Sequence, residues 1–147
     1  MMTNANGMTE AEQKTLEDYK ALCRRRGLEV LEAMGADGHP KLRELDEEFW
    51  QHTVEQLFGG IFTRPGLSLR DRELITMAAL IALFRIDALD LHLRAAPSVG
   101  ISDTEIRELI IQVMYYTGWA AGAYALQKHK QVRQDMGLAE EPTEAEG

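Results

Sequence analysis

The side chains able to move protons or attack a substrate are few: His39, His52, His92, His129 and a single thiol, Cys23. His39 precedes Pro40 in a glycine-rich turn and reads as a loop residue. His52 and His129 fall on helix faces that read as solvent-exposed. His92 differs, because Ala88, Leu89, Ala95 and Ala96 share its face at helical spacing. Small neighbours leave room for a ligand or for a closely packed helix, and spacing alone favours a core histidine bonded to that helix. No HExxH or comparable pairing of ligands occurs, so neither a metal nor any other cofactor is expected. One cysteine excludes an intramolecular disulfide and any two-cysteine redox motif. Cys23 reads as a bystander.

Arginine supplies the second set of candidates. Arg64, Arg70, Arg72, Arg85 and Arg94 stand against Asp71, Glu73, Asp87 and Asp90 between residues 61 and 100. A guanidinium fork matches a carboxylate bidentately, so this mildly basic middle suits a small organic anion. Pairing with the neighbouring acids is the plainer alternative. Glu55 and Glu73 can each orient an imidazole, as carboxylates commonly do. Tyr115, Tyr116 and Trp119, followed by small residues, form an aromatic cluster suited to a pocket roof and, more often, to an interface or a core.

These side chains must be carried by helices. Thr9 to about Met34 is a helix-prone stretch that Gly27 is expected to interrupt. Pro40 to Phe58 is a second helix, with Leu42, Leu45, Phe49, Val54 and Leu57 as its buried side. The segment from Gly59 to Gly66 reads as a connector. Ser68 opens a third helix whose apolar residues cover every face, the mark of a central element. Asp87 to about Ala96 is short and stopped by Pro97 and Gly100. Ser102 and Glu105 form a capping box for a helix with Ile106, Leu109, Ile110, Val113 and Met114 at core spacing. Gly118 precedes a last helix reaching about Met136. No period-2 strand is evident, so the class is all-α, a single-domain bundle of about six helices.

At 147 residues with 45% hydrophobic content, the chain can bury a core of its own. Its net charge of −8 argues against nucleic acid and anionic membranes as partners. No apolar stretch is long enough to span a bilayer and no export signal is visible, so a cytoplasmic location is expected. Three segments are anticipated: an N-terminal helical extension over 1–23, a domain over 24–136, and an acidic tail over 137–147.

Two stretches resemble a known family. Phe58-Gly59-Gly60-Ile61-Phe62-Thr63-Arg64-Pro65-Gly66-Leu67, followed by the run from Arg70 to Leu83, is similar to the carboxymuconolactone decarboxylase core. Leu91-His92-Leu93-Arg94-Ala95-Ala96 continues it with the HLR signature, and the stretches 100–108 and 116–122 agree. The resemblance spans roughly residues 24–135. It implies an alkylhydroperoxidase-D-like fold, a homo-oligomer (trimer or hexamer), and cofactor-free decarboxylation of a carboxylated lactone. Its peroxidase branch carries a CxxC pair where this chain has Arg85 and Ala88, which excludes disulfide-based peroxide reduction there.

Carried over by position, the resemblance makes His92 the catalytic histidine with Glu73 or Glu55 as its carboxylate. Arg72 and Arg94 match arginines of the family, and together with Arg85 and Tyr116 they are the residues expected to hold a small anionic substrate. Gly60 stands where the decarboxylases usually have a second acidic residue, and Glu73 matches the glutamate of the cysteine-bearing branch. The expected activity is a cofactor-independent carboxy-lyase acting on a lactone or enolisable acid. The alternatives are a related isomerase, cyclase or dehydratase using the same dyad, and a non-catalytic helical ligand-binding oligomer.

Overall fold

The computed structural model describes residues 7–35 and 40–138. His39, the side chain of Leu42 and the acidic stretch from residue 139 onward lie outside the described residues. Among the described residues there is no β-strand; seven α-helices, one π-helical segment and one short 3-10 turn follow one another. The chain forms two compact units, Met1–Leu69 and Arg70–Gly147.

In the first unit, α1 (Glu10–Ala33) opens with a reciprocal capping box between Thr9 and Glu12, which satisfies two backbone donors at once. Gly27 does not interrupt α1, contrary to the sequence reading. It sits mid-helix because a methyl group there would collide with the carbonyl oxygen of Val54. Gly59 does the same from the other side, where a methyl group would strike the carbonyl of Cys23. Two helical backbones thus meet through two glycines.

The expected helix from Pro40 to Phe58 is divided into three. α2 (Pro40–Leu45) ends where Asp46 turns extended at φ −167°, and the Asp46 carboxylate restarts α3 (Glu47–His52) by accepting from the Phe49 amide at 2.7 Å. A π-helical segment (Thr53–Ile61) continues directly from α3. Helical structure therefore runs through Gly59 and Gly60, where a connector was expected. The break and the wider turn rotate the buried face. Trp50, Val54 and Phe58 are buried, while Leu45, Phe49 and Leu57 face solvent.

The second unit contains α4 (Leu69–Ala82), α5 (Ile86–Ala95), a 3-10 turn (Ala96–Val99), α6 (Asp103–Thr117) and α7 (Trp119–Asp135). Gly100 ends the 3-10 turn in the left-handed region at φ 78°. The Ser102–Glu105 capping box then opens α6. Met77 and Ile81 of α4 join Leu89 and Leu93 of α5, Ile106 and Ile110 of α6, and Ala121, Ala125 and Val132 of α7 in one core. α4 is not buried all round: Ile75 is 55% exposed, and Leu83 just past its end is 67% exposed. Only the stripe through Glu73, Met77 and Ile81, at i, i+4 and i+8, turns fully inward. Among the described residues no helix is long and apolar enough to cross a membrane.

Candidate active site

The inward stripe of α4 carries one residue that a core would not select for packing. Glu73 is 0% exposed, between the apolar helix positions that build the core. Taking a carboxylate out of water costs several kcal/mol, on the order of the stability of a domain, unless bonds replace the lost hydration. Its Oε1 lies 2.6 Å from Nδ1 of His92 on α5, while Oε2 is buried with no hydrogen-bond partner. The His92 side chain is 12% exposed.

The bond fixes the ring plane, and against an ionised carboxylate, which only accepts, Nδ1 is the donating nitrogen. Nε2 is then left on the far edge of the imidazole. It has no hydrogen bond among the described residues, and is the atom through which His92 can exchange a proton with a bound molecule.

The arginines divide by what their guanidiniums already hold. Arg70 bonds the Gly100 carbonyl and pairs with Glu105. Arg94 does not stand open to a substrate carboxylate as the resemblance implied. Its Nε donates to Asp90 at 2.7 Å and its Nη2 to Asp135 at 2.8 Å. These two bonds, that to Asp90 foremost, push its pKa further upward, and Arg94 in turn lowers that of Asp135. Arg94 therefore ties α5 to the last turn of α7. Arg85 is exposed at the start of α5 and has no ion pair among the described residues. Arg72 is half-buried beside Glu73, with its Nε inside the protein. Tyr116, in the last turn of α6, is 85% exposed, and Tyr115 packs against Trp119 with ring centres 6.2 Å apart. The aromatic cluster is therefore neither core nor roof within one chain.

Glu55 belongs to the first unit. It lies on the π-helical segment, with Arg24 of α1 3.7 Å from its Oε1, and it faces a cavity that His52 and Cys23 also line. Cys23 is buried, and His52 is exposed as expected. His129 is not. It is 5% exposed, with its Nε2 bonded to Asp103 at 2.9 Å. Arg133 takes the other oxygen of Asp103. The sequence held no local sign of this cluster, since Asp103 is 26 residues away from His129. Among the described residues no group of three or more His, Cys, Asp or Glu is placed to hold a metal ion.

Residues 49–129 match the carboxymuconolactone decarboxylase family. The chain is 33% identical over 122 residues to the 4-carboxymuconolactone decarboxylase of Acinetobacter baylyi, covering 80% of this chain and 91% of that protein. It is 34% identical over 65 residues to the nitrosuccinic acid decarboxylase of Metarhizium robertsii, covering 44% of this chain and 46% of that protein. Both relatives bear the names of decarboxylases, and the longer match takes in His92, Glu73 and the helices that carry them within the family region. The chain belongs to the carboxymuconolactone decarboxylase family.

Proposed function

We propose that this protein is a cofactor-independent decarboxylase of a small organic acid, with His92 as the proton donor and Glu73 as the group that holds it. The observation that carries this reading is the 2.6 Å bond between a fully buried carboxylate and an imidazole whose other nitrogen is open. Such a pair is a poor device for stability, because an apolar residue of similar size would avoid the desolvation. It is a good device for acid–base work.

The relatives' names point to acids that share a chemical feature: a nitro group in one and a lactone in the other can take up the electron pair left when carbon dioxide departs. In the proposed reaction the bond from carbon to the leaving carboxylate breaks and its electrons move into the neighbouring acceptor group. Arg85 and Arg72 hold the negative charge of the substrate and of the carbanion-like product. His92 then delivers its Nε2 proton to the carbon, and Glu73 keeps the ring aimed throughout. Solvent restores the proton.

The test is turnover of 4-carboxymuconolactone followed by ultraviolet absorbance, with nitrosuccinic acid as the second substrate. Saturable loss of carbon dioxide from either, abolished in His92→Ala, supports the reading. A folded protein that turns over neither acid argues for a binding role instead.

The same reading includes a homo-oligomer. Tyr115, Tyr116 and Trp119 are 73–85% exposed at the α6–α7 junction, Ile75 is exposed on α4, and Leu83 is exposed just past its end. Large apolar groups left exposed in this way are characteristic of surfaces that associate. Sedimentation showing only monomer at micromolar concentration would overturn this part.

A further inference from the structure

The turn that joins α4 to α5 holds a residue that its backbone does not favour. The Phe84 amide donates to the Ile81 carbonyl at 3.0 Å and the Arg85 amide to the Leu80 carbonyl at 2.7 Å, bonds that close a helix through a left-handed residue. Glycine usually fills that position because it has no Cβ to clash. Here it is Phe84 at φ 54°, among the described residues the one non-glycine in the left-handed region. A bulky side chain there costs free energy and persists only where its surroundings impose it. Tyr124 of α7 is the contact that holds it, edge to face, with ring centres 5.4 Å apart and planes at 89°. Both rings nonetheless remain half-exposed.

The two rings form one corner of a cavity of about 520 Å³ between this turn and α7. Its size lies within the roughly 300–1,000 Å³ usual for small-molecule sites. Ile86 adds apolar wall, and Gln127 and Gln131 add amides. The charged groups of the lining already answer one another: the Lys128 ammonium stands 3.8 Å from Asp87 and 3.9 Å from Asp90. Gln131 is likewise engaged, donating to Asp135 at 2.8 Å. The side-chain amide of Gln127 has no hydrogen bond among the described residues. What the cavity still offers is therefore two ring faces at right angles and one amide able both to donate and to accept. An anion would have to draw Lys128 from its carboxylates, and a cation would have to compete with it for them. A neutral ligand does neither.

We infer that this cavity binds a neutral heteroaromatic ring with a hydrogen-bond donor beside an acceptor, as in a purine base, and that Phe84 keeps its strained backbone to form one wall. The ligand ring lies against Phe84 and Tyr124, since aromatic side chains hold bases through their faces. Its donor and acceptor meet the Gln127 amide, the pairing by which glutamine reads an adenine edge. The site is built wholly within the second unit and shares no lining residue with the His92–Glu73 pair. Being uncharged, its ligand is of a different class from the acids of the proposed reaction.

The probe is adenosine, titrated into the full chain by calorimetry and by the shift of the Gln127 side-chain amide resonances. Saturable binding is expected with a dissociation constant on the order of 1 mM or tighter. Tyr124→Ala and Phe84→Gly should each weaken it at least about tenfold, while His92→Ala leaves it unchanged. Benzoate and benzylamine, which carry one charge of either sign on a ring, should bind more weakly than adenosine. The absence of saturation overturns the proposal, and so does tighter binding of either charged ring. Unaltered affinity in a Phe84→Gly protein of normal helical circular dichroism has the same meaning. If Phe84→Gly does not fold, the surface change Tyr124→Ala decides, and unaltered affinity there is equally fatal. Loss of binding in His92→Ala would assign the probe to the other site and overturn the inference while leaving the proposed reaction standing.

Discussion

Asp103 is held from both sides by α7: His129 Nε2 lies 2.9 Å from its Oδ1, and Arg133 grips its Oδ2. Asp103 is also the first residue of α6, where a negative charge meets the positive end of the helix dipole. One side chain thus serves the start of one helix and the packing of another. His129→Ala is expected to lower unfolding free energy by about 1–3 kcal/mol, the cost of leaving a buried partner unsatisfied. Turnover per folded molecule should be unchanged. Urea denaturation combined with an activity assay checks both, and a large loss of turnover without loss of stability would contradict this structural role.

His92 and Glu73 should behave in the opposite way. His92→Ala is expected to reduce turnover by about a hundredfold or more, the usual range for removing a general acid, with the helical signal intact. Glu73→Gln should reduce turnover more than Glu55→Gln, because Glu73 alone of the two is seen bonded to the imidazole while Glu55 is engaged with Arg24. Steady-state kinetics on the identified substrate distinguishes them. Equal effects of the two glutamine variants would remove Glu73 from its assigned role.

Gly27, Gly59 and Gly60 of the first unit offer a graded test. Gly27→Ala and Gly59→Ala place a methyl group into a backbone carbonyl that cannot rotate away. Each should destabilise the unit by about 3 kcal/mol or more, at the upper end of what overpacking costs. At Gly60 a methyl group would find nothing nearer than the Glu55 carbonyl oxygen at 3.6 Å, an ordinary contact, so Gly60→Ala should be neutral or slightly stabilising, by up to about 1 kcal/mol. Thermal melts of the three variants read the order directly.

Acid should loosen the second unit first at the start of α6. The Ser102 backbone amide, then its hydroxyl, then Arg70 hold the Glu105 carboxyl below its ordinary value of 4.5. A depressed carboxylate contributes stability above its unfolded pKa and loses it as pH falls through the folded one. Melting temperature should therefore fall as pH drops from about 5 toward 2, and Glu105→Gln should make that fall shallower while lowering stability at neutral pH. A slope identical to the parent's would show that the capping box carries none of the acid sensitivity.

Much of this architecture was legible because it rests on local rules. The Ser102 and Glu105 spacing announces a capped helix, and Gly100 and Gly118 mark its flanks. The pairing of Glu73 with His92 was one of two choices, and the inward stripe of α4 is what decides it. The misses have a common origin in contacts between distant segments. Nothing near His129 foretells Asp103, and nothing near Gly27 foretells Val54, so a buried histidine read as exposed and a packing glycine read as a break. The π-helical segment failed for a different reason. Period-3.6 reasoning assigns Leu45, Phe49 and Leu57 to the core beside Val54, and the break at Asp46 and the wider turn keep Val54 buried but bring Trp50 and Phe58 inward in place of the other three.

The bond between Arg94 and Asp135 spans 41 residues and braces the helix that carries His92. Chains emerge from the ribosome N-terminus first, at about 5–20 residues per second. α5 is therefore complete seconds before its brace exists, and during that interval only Asp90 holds Arg94. The helix bearing the proposed proton donor is among the last parts of the second unit to be locked. A nascent chain stalled ahead of Asp135 should carry His92 on a helix still free to shift.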